Sequence, residues 1–489
     1  MSGSVLQARV DLSHATVADP QAFRADLVAK LRGGERLVTL FGRRAGDDAL
    51  VTAVTQRADG ALAVSRAAVN VAHGYHELTT DFPALHCFER ELHEQTGLRI
   101  AGHPWLKPLR FEGGDQAAMN AYPWYQVTGK EVHEVAVGPI HAGVIEPGSF
   151  RFMCHGEQVL HLEIHLGYQH RGVEKRLLGK PPRALLPLVE TIAGDTTIGH
   201  SWASAAALET LAGVDVGEGA ERLRAVMLEL ERVGMHLAGL SGLAMDIGHL
   251  QGASTYGRLR TTAINTSLRL CGSRFGRGAV RPGGARVDAS PERWAELKKN
   301  VALLQRDLAG INELFTSART VRHRLAGVGV LSTEQARALG VVGHAARASG
   351  VPSDTRRQAG GLWNALPIEP VTCAGGDCLA RAQVRIAELD ASLAWLARRA
   401  DETPPRMEAP RPLGPLAPRQ LVVSIVEGWR GEVVHALETG EDGALIHYKV
   451  QDPSLRNWLG LAVAVRGNEI SDFPICNKSF DLSYCGNDL

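Results

Sequence analysis

The sequence lacks several features that would assign it at once to a class of protein. Its seven cysteines form no Cys-x-x-Cys pair, which excludes the usual paired-thiol zinc and redox motifs. No Gly-x-Gly-x-x-Gly follows a predicted strand, so NAD binding is not expected. No run of about 18 apolar residues could form a membrane-spanning helix. The 53 basic and 53 acidic residues cancel, which gives no electrostatic case for nucleic-acid or membrane-surface binding.

What is present is the composition of a large globular protein. A chain of 489 residues with 45% apolar content can bury more than one core, and its length suggests about two to four domains. The N-terminal letters MSGSVLQARVDLSH do not resemble a secretory signal, so we expect a cytoplasmic chain with reduced cysteines. Most cysteines, including Cys476 and Cys485, are therefore interpreted as structural.

Residues 1–112 are predicted to form a small α/β domain. The segment PQAFRADLVAKLRGG places Phe23, Leu27 and Leu31 at helical spacing. Three short apolar segments, RLVTLF, ALVTAVTQ and ALAVSRAAV, are separated by turn-forming residues and predict strands. The glycine-rich residues 113–131 break this periodicity and predict a linker.

Residues 132–489 are predicted to be mainly helical, with short β-segments at both ends. VHEVAVG, SFRFMCHG and QVLHLEIHLG predict three strands. The segment GEGAERLRAVMLELERVGMHLAGLSGLAMDIGHL has apolar residues at three-to-four spacing and predicts a helix of about thirty residues in a bundle core. Strands return in QLVVSIVEGWRGEVVHAL and ALIHYKV, with a hairpin-like turn at GEDG.

One predicted strand carries a cluster of residues that could bind metal. His161, Glu163 and His165 alternate with leucine and isoleucine, so they share one face of the strand. Imidazole and carboxylate groups at this spacing can bind zinc, but a fourth ligand is not identifiable. A solvated polar strand face explains the alternation fully, and we favour it.

An ordered series of motifs resembles known subunits. The segment YHELTTDFPALHCFERELHEQTGLRIAGHPWLKPLRFEG resembles the 30-kDa-type subunit of respiratory complex I. The motifs GPIHAGVIEPGSFRF, HLGYQHRGVEK, RPGGAR, GHAARASGVPSDTRR and GGDCLARAQVRIAEL resemble, in order, the 49-kDa-type subunit and its nickel-iron hydrogenase relatives. The chain is thus similar to fused large subunits of formate hydrogenlyase and hydrogenase-4 complexes. This implies an α+β fold, with a small α/β domain followed by a mainly α-helical hydrogenase large-subunit-like domain.

The resemblance also locates the positions of the cysteines that hold nickel and iron in active hydrogenases. The family's Arg-x-Cys-Gly-x-Cys aligns with residues 191–196, and its C-terminal Asp-Pro-Cys-x-x-Cys aligns with residues 481–486. The four ligand positions are Ala193, Thr196, Ser483 and Gly486. A methyl group, a hydroxyl or a hydrogen cannot replace a soft thiolate ligand. We therefore predict that this chain binds no metal.

Complex I implies a competing chemistry, the binding of a quinone headgroup. In that family a His in the first strand loop and a Tyr on a following helix hold the headgroup, and the matching positions here are Ile145 and a site near Gly194. Both groups are missing, although an earlier His of the loop is kept. The resemblance leaves these candidate ligands of a quinone or another cavity ligand: His141, His200 and Arg347.

The resemblance implies catalytic roles for Glu174, Arg347 and Asp354. Glu174 matches a carboxylate that begins a proton path in hydrogenases, and partial burial could bring its pKa toward neutrality. The alternative is an ion pair with Arg171 or Lys175 that fixes a loop. Arg347 matches an arginine over the active cavity, where its guanidinium could bind an anionic or carbonyl ligand.

Arg347 is followed by Asp354 and Arg356, so it could also belong to an internal ion cluster, which is the interpretation we favour because buried charges must be paired. A second charged row, formed by Asp377, Arg381, Arg385 and Glu388, recurs at helical spacing. This row is interpreted as part of the helix-bundle interior or of an interface, and we favour an interface with a partner subunit over a solvated helix face.

Taken together, the resemblance implies a cytoplasmic subunit at the inner face of the cell membrane, in a complex I-like, hydrogenase-related oxidoreductase complex. Expected partners are a small iron-sulfur subunit carrying a cluster near the former active cavity and antiporter-like membrane subunits, but no nucleic acid. Two alternatives stay open: quinone reduction by an NADH-quinone oxidoreductase C/D-type subunit, and a structural coupling role without a substrate. An active hydrogenase is disfavoured because hydroxyl groups are hard donors.

Overall fold

The structure of the protein, a computed structural model, describes residues 3–112, 119, 121–143 and 145–489. Residues 113–118 and 120 of the predicted linker lie outside the described residues. The described chain is a mixed α+β structure. Its helices form the main body, and several small antiparallel sheets surround it.

The N-terminal part contains a three-stranded antiparallel sheet with two helices. Strand β1 (Leu6–Asp11) precedes this sheet and pairs elsewhere. The sheet strands are β2 (Arg36–Ala45), β3 (Asp48–Gln56) and β4 (Leu62–Asn70), and a short parallel pair is formed by β5 (Tyr75–His76) and β6 (Ile100–Ala101). The helices are α1 (Pro20–Arg32) and α2 (His86–Thr96). The helix and the three strands predicted in this part are confirmed.

Helix α1 illustrates how local sequence sets these elements. The Asp19 carboxylate accepts hydrogen bonds from the backbone N–H groups of Gln21 at 2.9 Å and Ala22 at 3.0 Å, which satisfies free donors of the first turn. Phe23 and Leu27, on the face predicted to be apolar, are buried in the N-terminal core. The helix ends at Gly33, where the sequence predicts it to end.

The second antiparallel sheet follows the linker. Its strands are β7 (Val132–Val137), β8 (Ser149–His155) and β9 (Gln158–His165), as predicted. Two short helices precede residues 191–196, the first of the two segments that the resemblance assigns to metal ligands. They are α3 (Val173–Leu177) and α4 (Pro182–Val189).

Long helices form the body of the molecule. They are α5 (Thr197–Ala212), α6 (Gly217–Asp246), α7 (Leu250–Cys271), α8 (Pro291–Ser317) and α14 (Cys378–Asp401). Between α7 and α8 lies the small hairpin β10 (Val280–Arg281) and β11 (Gly284–Ala285). Five short helices connect α8 to α14: α9 (Arg319–Leu325), α10 (Thr333–Ala338), α11 (Gly343–Ala348), α12 (Arg356–Ala359) and α13 (Leu362–Ala365). The long helix predicted at residues 217–246 is confirmed.

The segment STEQARALGVVGHAARAS has the apolar spacing of a helix, but in the structure it is divided into α10 and α11. Gly340 and Gly343 between them adopt positive φ angles of 66° and 69°, a region that interrupts a right-handed helix. The break has a second cause at Gly343, where a Cβ atom would lie 1.7 Å from the carbonyl oxygen of Arg430. The glycine therefore lets α11 approach the backbone of the C-terminal sheet.

The C-terminal part contains a four-stranded antiparallel sheet in the order β1-β12-β13-β14. Its later strands are β12 (Gln420–Gly428), β13 (Gly431–Thr439) and β14 (Leu445–Gln451). Helices α15 (Ser454–Ala464), α16 (Phe473–Phe480) and α17 (Tyr484–Asp488) complete the chain. Because β1 belongs to this sheet, residues 6–11 pack with the C-terminal part, and the division into domains at residues 112 and 132 stays a prediction.

Among the residues described, no helix has both the length and the apolar character that a membrane span requires.

Candidate functional site

The two segments that the resemblance assigns to metal ligands meet at Arg430. Its guanidinium donates to both carboxylate oxygens of Asp195, each at 2.7 Å, and Nη1 lies 3.4 Å from Oγ1 of Thr196. Its Nε donates to the backbone carbonyl of Asp481. The Arg430 side chain is only 4% exposed. A buried cation therefore joins the N-terminal segment at residues 191–196 to the C-terminal segment at residues 481–486.

The turn between β12 and β13 positions this arginine. Gly428 pairs with Gly431 in the hairpin, so Trp429 and Arg430 form its tip. The indole N–H of Trp429 donates to the carbonyl of Asp195 at 2.8 Å, and the guanidinium lies 3.9 Å from the Trp429 ring centroid. Burial alone would lower the pKa of Arg430, but the Asp195 carboxylate outweighs burial and raises that pKa. Arg430 is therefore a permanent cation at this site.

The four predicted ligand positions do not fit a nickel-iron group. The Ser483 hydroxyl accepts the backbone N–H of Gly486 at 2.9 Å and thereby caps α17. A Cβ atom on Gly486 would lie 2.6 Å from Cγ of Asp452, so the Asp452 carboxyl fills the space that a side chain would need there. Together with the methyl group of Ala193 and the hydroxyl of Thr196, these positions offer no soft donor.

A buried chain of polar groups begins at the same point. Asp452 Oδ2 lies 3.1 Å from His200 Nε2, and His200 Nδ1 lies 3.1 Å from His435 Nε2. His435 Nδ1 is 3.0 Å from the Tyr448 hydroxyl, which is 2.7 Å from the Ser204 hydroxyl. All five side chains are buried, and burial holds the pKa of His435 well below its ordinary value. This connected chain can store or pass a proton beside Arg430.

Arg347, a predicted catalytic and cofactor-binding residue, lies inside an ion cluster. Its Nε is 2.6 Å from Glu388, and its Nη1 is 2.9 Å from Glu427 and 3.7 Å from Asp354. Asp354 in turn accepts from Arg356 at 2.6 Å. The Arg347 side chain is fully buried. The favoured interpretation, an internal ion cluster, describes this environment. Three carboxylates face the guanidinium that was predicted to bind a ligand, while its buried Nη2 has no hydrogen-bond partner among the described residues.

The interface that we favoured for the charged row on α14 is wrong, because Arg381, Arg385 and Glu388 are buried. The alternative, the interior of the helix bundle, describes their surroundings. Asp377 instead caps α14 by accepting the backbone N–H of Ala380 at 2.7 Å. Arg385 lies 3.0 Å from His344 and reaches Asp481 at 3.5 Å. Helical spacing shows that such residues share a face, but it does not say whether solvent or another helix covers that face.

Glu174, the predicted proton carrier, is held as an anion. Burial alone would raise its pKa, but Lys449, at 2.9 Å, outweighs burial and lowers the pKa of Glu174 to about 2. The backbone N–H of Val450 also donates to it at 2.9 Å. The expectation of a near-neutral pKa is therefore wrong, and the ion-pair alternative describes the contact, with Lys449 in place of Arg171 or Lys175.

Lys449 also connects the N-terminal part to the C-terminal segment. Glu91 of α2 accepts hydrogen bonds from both Lys449 and Arg110. Arg110 Nε donates to the carbonyl of Asn487 at 2.6 Å. Burial lowers the pKa of Lys449 to about 8. These buried charges fix α2 against the strand and the C-terminal helix that flank the site.

The three predicted cofactor ligands have separate partners. His141 lies in a partly exposed loop and donates from Nε2 to the carbonyl of Gly148 at 2.8 Å. His200 is held between Asp452 and His435, and Arg347 is held by carboxylates. Arg430 was not among the predicted site residues. The signal in the sequence that could have identified it is the Gly-Trp-Arg-Gly run at residues 428–431, where two glycines fix the ends of a tight turn.

The polar face predicted on β9 is covered, so its interpretation as a solvated face is wrong. Glu163 accepts from Lys107 at 2.5 Å and from the backbone N–H of Tyr125 at 2.6 Å. The His165 ring stacks on Tyr122 with centroids 4.2 Å apart. Lys107, Tyr122 and Tyr125 supply this cover. Across the described chain, no group of three His, Cys, Asp or Glu side chains is arranged to hold a metal ion.

Comparison with known proteins agrees with this architecture. The family described as the 49-kDa subunit of respiratory-chain NADH dehydrogenase matches residues 246–488. Formate hydrogenlyase subunit 5 of Escherichia coli (strain K12) is 28% identical over 444 residues, which cover 85% of this chain and 77% of that protein. The D-type subunit of NADH-quinone oxidoreductase from Dehalococcoides mccartyi is 31% identical over 353 residues, which cover 71% of this chain and 95% of that protein.

A solved structure shares the fold. A chain of the membrane-bound sulfane sulfur reductase, an archaeal respiratory membrane complex, superposes with a TM-score of 0.69 and 24% sequence identity, covering 75% of this chain and 100% of that one. The order of motifs, the meeting of the two former ligand segments and these relatives agree. The chain therefore belongs to the 49-kDa-type subunit family of complex I and its hydrogenase relatives, in the fused form that its motifs predict.

Proposed function

We propose that this protein is a peripheral subunit of a membrane-associated, complex I-like oxidoreductase complex, which couples electron transfer to ion translocation without a nickel-iron centre. Relatives named as a membrane-bound hydrogenase subunit and as NADH-quinone oxidoreductase subunits support the general role. The observation that carries the rest is Arg430. A buried guanidinium bonded to both former ligand segments, beside four positions without a thiolate, is the opposite of what a metal cation needs.

The test is a metal analysis of the purified complex, with parallel measurement of hydrogen evolution. We expect nickel far below one atom per chain and no hydrogen evolution. A nickel-iron hydrogenase complex purified by the same procedure is the control for metal loss. Stoichiometric nickel together with hydrogen evolution would overturn the proposal.

The proposed partners are a small iron-sulfur subunit and antiporter-like membrane subunits, and the proposed location is the cytoplasmic face of the membrane. The iron-sulfur cluster would then reside in the partner. The structural neighbour belongs to a respiratory membrane complex, which supports assembly of this kind. Affinity purification of the tagged chain from detergent-treated membranes should recover these subunits. Recovery of the chain alone from the soluble fraction would contradict this proposal.

Within this function, we propose that any small acceptor such as a quinone binds at Arg430, beside Asp452 and His200, with Glu174 and Arg347 in supporting ion pairs. Nη2 of Arg430 has a second N–H that Asp195 does not use; it could donate a hydrogen bond to a carbonyl oxygen, and the polar chain behind it could supply a proton. The Asp195 side chain is 36% exposed, so the site reaches the surface of the subunit there.

A photoreactive quinone analogue added to the complex tests this assignment. We expect labelling near Arg430 that is lost in Arg430→Ala and reduced in Arg430→Lys, since lysine keeps the charge but loses the planar fork. Labelling that depends on His141 instead would move the site to that loop. The absence of specific labelling in an intact complex would favour the alternative, a coupling subunit without a substrate.

A further inference from the structure

Arg381 is a fully buried cation whose counter-charge is not a carboxylate. Its three donor groups bond to the hydroxyl of Ser479 at 2.8 Å and to the carbonyls of Gly376 at 2.7 Å and Gly329 at 2.9 Å. Among the residues described, no Asp or Glu oxygen lies within 4.0 Å of it. An unpaired buried charge is costly, so another anionic group is needed.

Two cysteine sulfurs face this guanidinium. Nη2 of Arg381 lies 3.4 Å from Sγ of Cys378 and 3.9 Å from Sγ of Cys476. Both cysteines are buried and free. Cys378 is the first residue of the 24-residue helix α14, whose N-terminal end adds positive potential. The site therefore contains two adjacent thiols, one cation and one helix terminus.

The same contacts divide the thiols into two chemical roles. Burial alone would raise the pKa of Cys378, but the neighbouring Cys476 thiol and the charge of Arg381 outweigh it and lower this pKa to about 6. The pKa of Cys476 is raised well above its ordinary value, mainly by the neighbouring Cys378 sulfur and by burial. At neutral pH, Cys378 is thus the thiolate that balances Arg381, and Cys476 keeps its proton.

We propose that Cys378 and Cys476 form a redox-active dithiol that is oxidised by small hydroperoxides, with Cys378 as the attacking thiolate and Cys476 as the resolving thiol. Arg381 acts through Cys378 and is a positioning residue. This site replaces the structural role that the sequence suggested for Cys476.

The chemistry balances without a metal. The Cys378 thiolate attacks one oxygen of hydrogen peroxide, the O–O bond breaks, and hydroxide leaves, so that the sulfur becomes a sulfenic acid. The Cys476 thiol then attacks this sulfur, the S–O bond breaks, water leaves, and a disulfide forms. The two sulfurs together lose two electrons, and the peroxide gains them.

The burial of the pair selects the oxidant. The backbone N–H of Cys378 donates to the carbonyl of Val328 at 2.9 Å, and a Cβ atom added to Gly329 would lie 2.4 Å from Sγ of Cys476, so the loop at residues 326–330 packs against this sulfur. Gly327 in this loop and Gly375 before α14 are exposed, so a single layer of backbone separates the dithiol from solvent. A hydroperoxide of nearly the size of water can pass such a layer, whereas glutathione disulfide cannot.

We expect the structural effect of oxidation to be transmitted to the candidate site through α16. Cys476 lies in this helix, and Ser479, one turn later, donates to the Cys476 carbonyl at 2.6 Å and accepts from Arg381. The helix ends at Asp481, whose carbonyl accepts from Arg430. A disulfide removes the counter-charge of Arg381 and tightens this helix. Only this last consequence rests on the proposed function; the dithiol itself does not.

The test uses the purified complex, reduced and then treated with hydrogen peroxide, alkylated, digested without reductant and analysed by mass spectrometry. We expect a peptide cross-linked between Cys378 and Cys476, two hydrogens lighter than the two thiol peptides and released by dithiothreitol. Glutathione disulfide at the same concentration should not produce it. Recovery of both cysteines as alkylated thiols after peroxide treatment would overturn the proposal.

Variants assign the two roles. Cys476→Ser should let dimedone trap a sulfenic acid on Cys378, whereas Cys378→Ser should leave Cys476 unreactive. Cys271→Ser is the matched control and should keep the cross-link. If the variants do not assemble, the wild-type rate of cross-linking decides: it should change with a midpoint near pH 6. A rate that rises only near pH 9, as for an ordinary thiol, would also overturn the proposal.

Discussion

At the scale of single residues, the positions that the resemblance assigns to metal ligands are surrounded by side chains that supply both volume and charge. Asp452 fills the space beside Gly486, and Arg430 carries the positive charge between the two segments. Asp452 is itself fixed in place, because its carboxylate also forms a hydrogen bond with His200. The site is therefore a packed and hydrogen-bonded structure in its own right.

A double-mutant cycle can measure this replacement of volume. Gly486→Ala should destabilise the protein by about 1–3 kcal/mol, because the new methyl group must displace the Asp452 carboxyl. In an Asp452→Ala background, the same change should cost much less, because the clashing atoms are gone. Thermal unfolding of the four proteins gives the coupling energy. Equal costs in both backgrounds would contradict the packing described.

At the scale of elements, the approach of α11 to the β12–β13 turn supports Arg430 from behind. Gly343 lies where a side chain would meet the Arg430 carbonyl, and Gly431 across the contact has a φ of 136°. Backbone packs directly on backbone at this point. The turn that presents the guanidinium is thus held by glycines and cannot shift without moving a helix.

Gly343→Ala should therefore be strongly destabilising and should weaken assembly. The added Cβ would lie 1.7 Å from a backbone oxygen, in addition to the strain of a positive φ. Gly213→Ala is the matched control, because Gly213 has a similar φ of 65° but no atom within 4 Å of the added carbon. It should cost only about 1 kcal/mol. Unfolding midpoints that are the same for both variants would contradict this account.

The elements also show what the sequence could predict. Helix α6 and the strands around residues 132–165 follow from periodicity, which depends on the residues of each segment alone. Motif order located the four ligand positions, but not the groups that fill them. Arg430 and Asp452 come from a turn and a strand end more than 200 residues after Thr196, and no local pattern connects them. The prediction of a solvated face around Glu163 was wrong, because alternation shows which residues share one face of a strand but not whether other residues cover that face.

At the scale of the whole molecule, buried charges hold the N-terminal part to the C-terminal part. Lys449 contacts Glu91 of α2 and Glu174 of α3, and its side chain is 1% exposed. Arg36 of β2 likewise pairs with Glu432 of β13 at 2.7 Å. The two parts are therefore joined by ion pairs whose loss leaves charges buried.

Lys449→Ala should destabilise the protein by about 3–5 kcal/mol, because Glu174 loses its ion-pair partner and Glu91 keeps only Arg110. Lys175→Ala is the matched control. The Lys175 side chain is 73% exposed and pairs with Glu112, so its loss should cost about 0–1 kcal/mol. Thermal unfolding and limited proteolysis would compare the two. A mild Lys449→Ala variant would show that the contact contributes little to stability.

The pH dependence of stability should report on Glu174. Its pKa is about 2 in the folded protein and 4.5 ordinarily, so below pH 4.5 the unfolded chain binds the extra proton first. The stabilisation from this carboxylate is complete above pH 4.5 and is lost as the pH falls toward 2. Glu174→Gln should remove this part of the acid sensitivity, measured as the change of unfolding midpoint between pH 6 and pH 3.5. An unchanged acid profile would contradict the ion pair with Lys449.

The placement of β1 in the C-terminal sheet affects how the protein is made. Strand β1 pairs with β12, which begins at Gln420, 411 residues after Arg9 of β1. At translation rates of about 5–20 residues per second, the first strand waits roughly 20 to 80 s on the ribosome before its partner emerges. During that time its edge is open to wrong pairing, so the nascent chain has an early need for a chaperone.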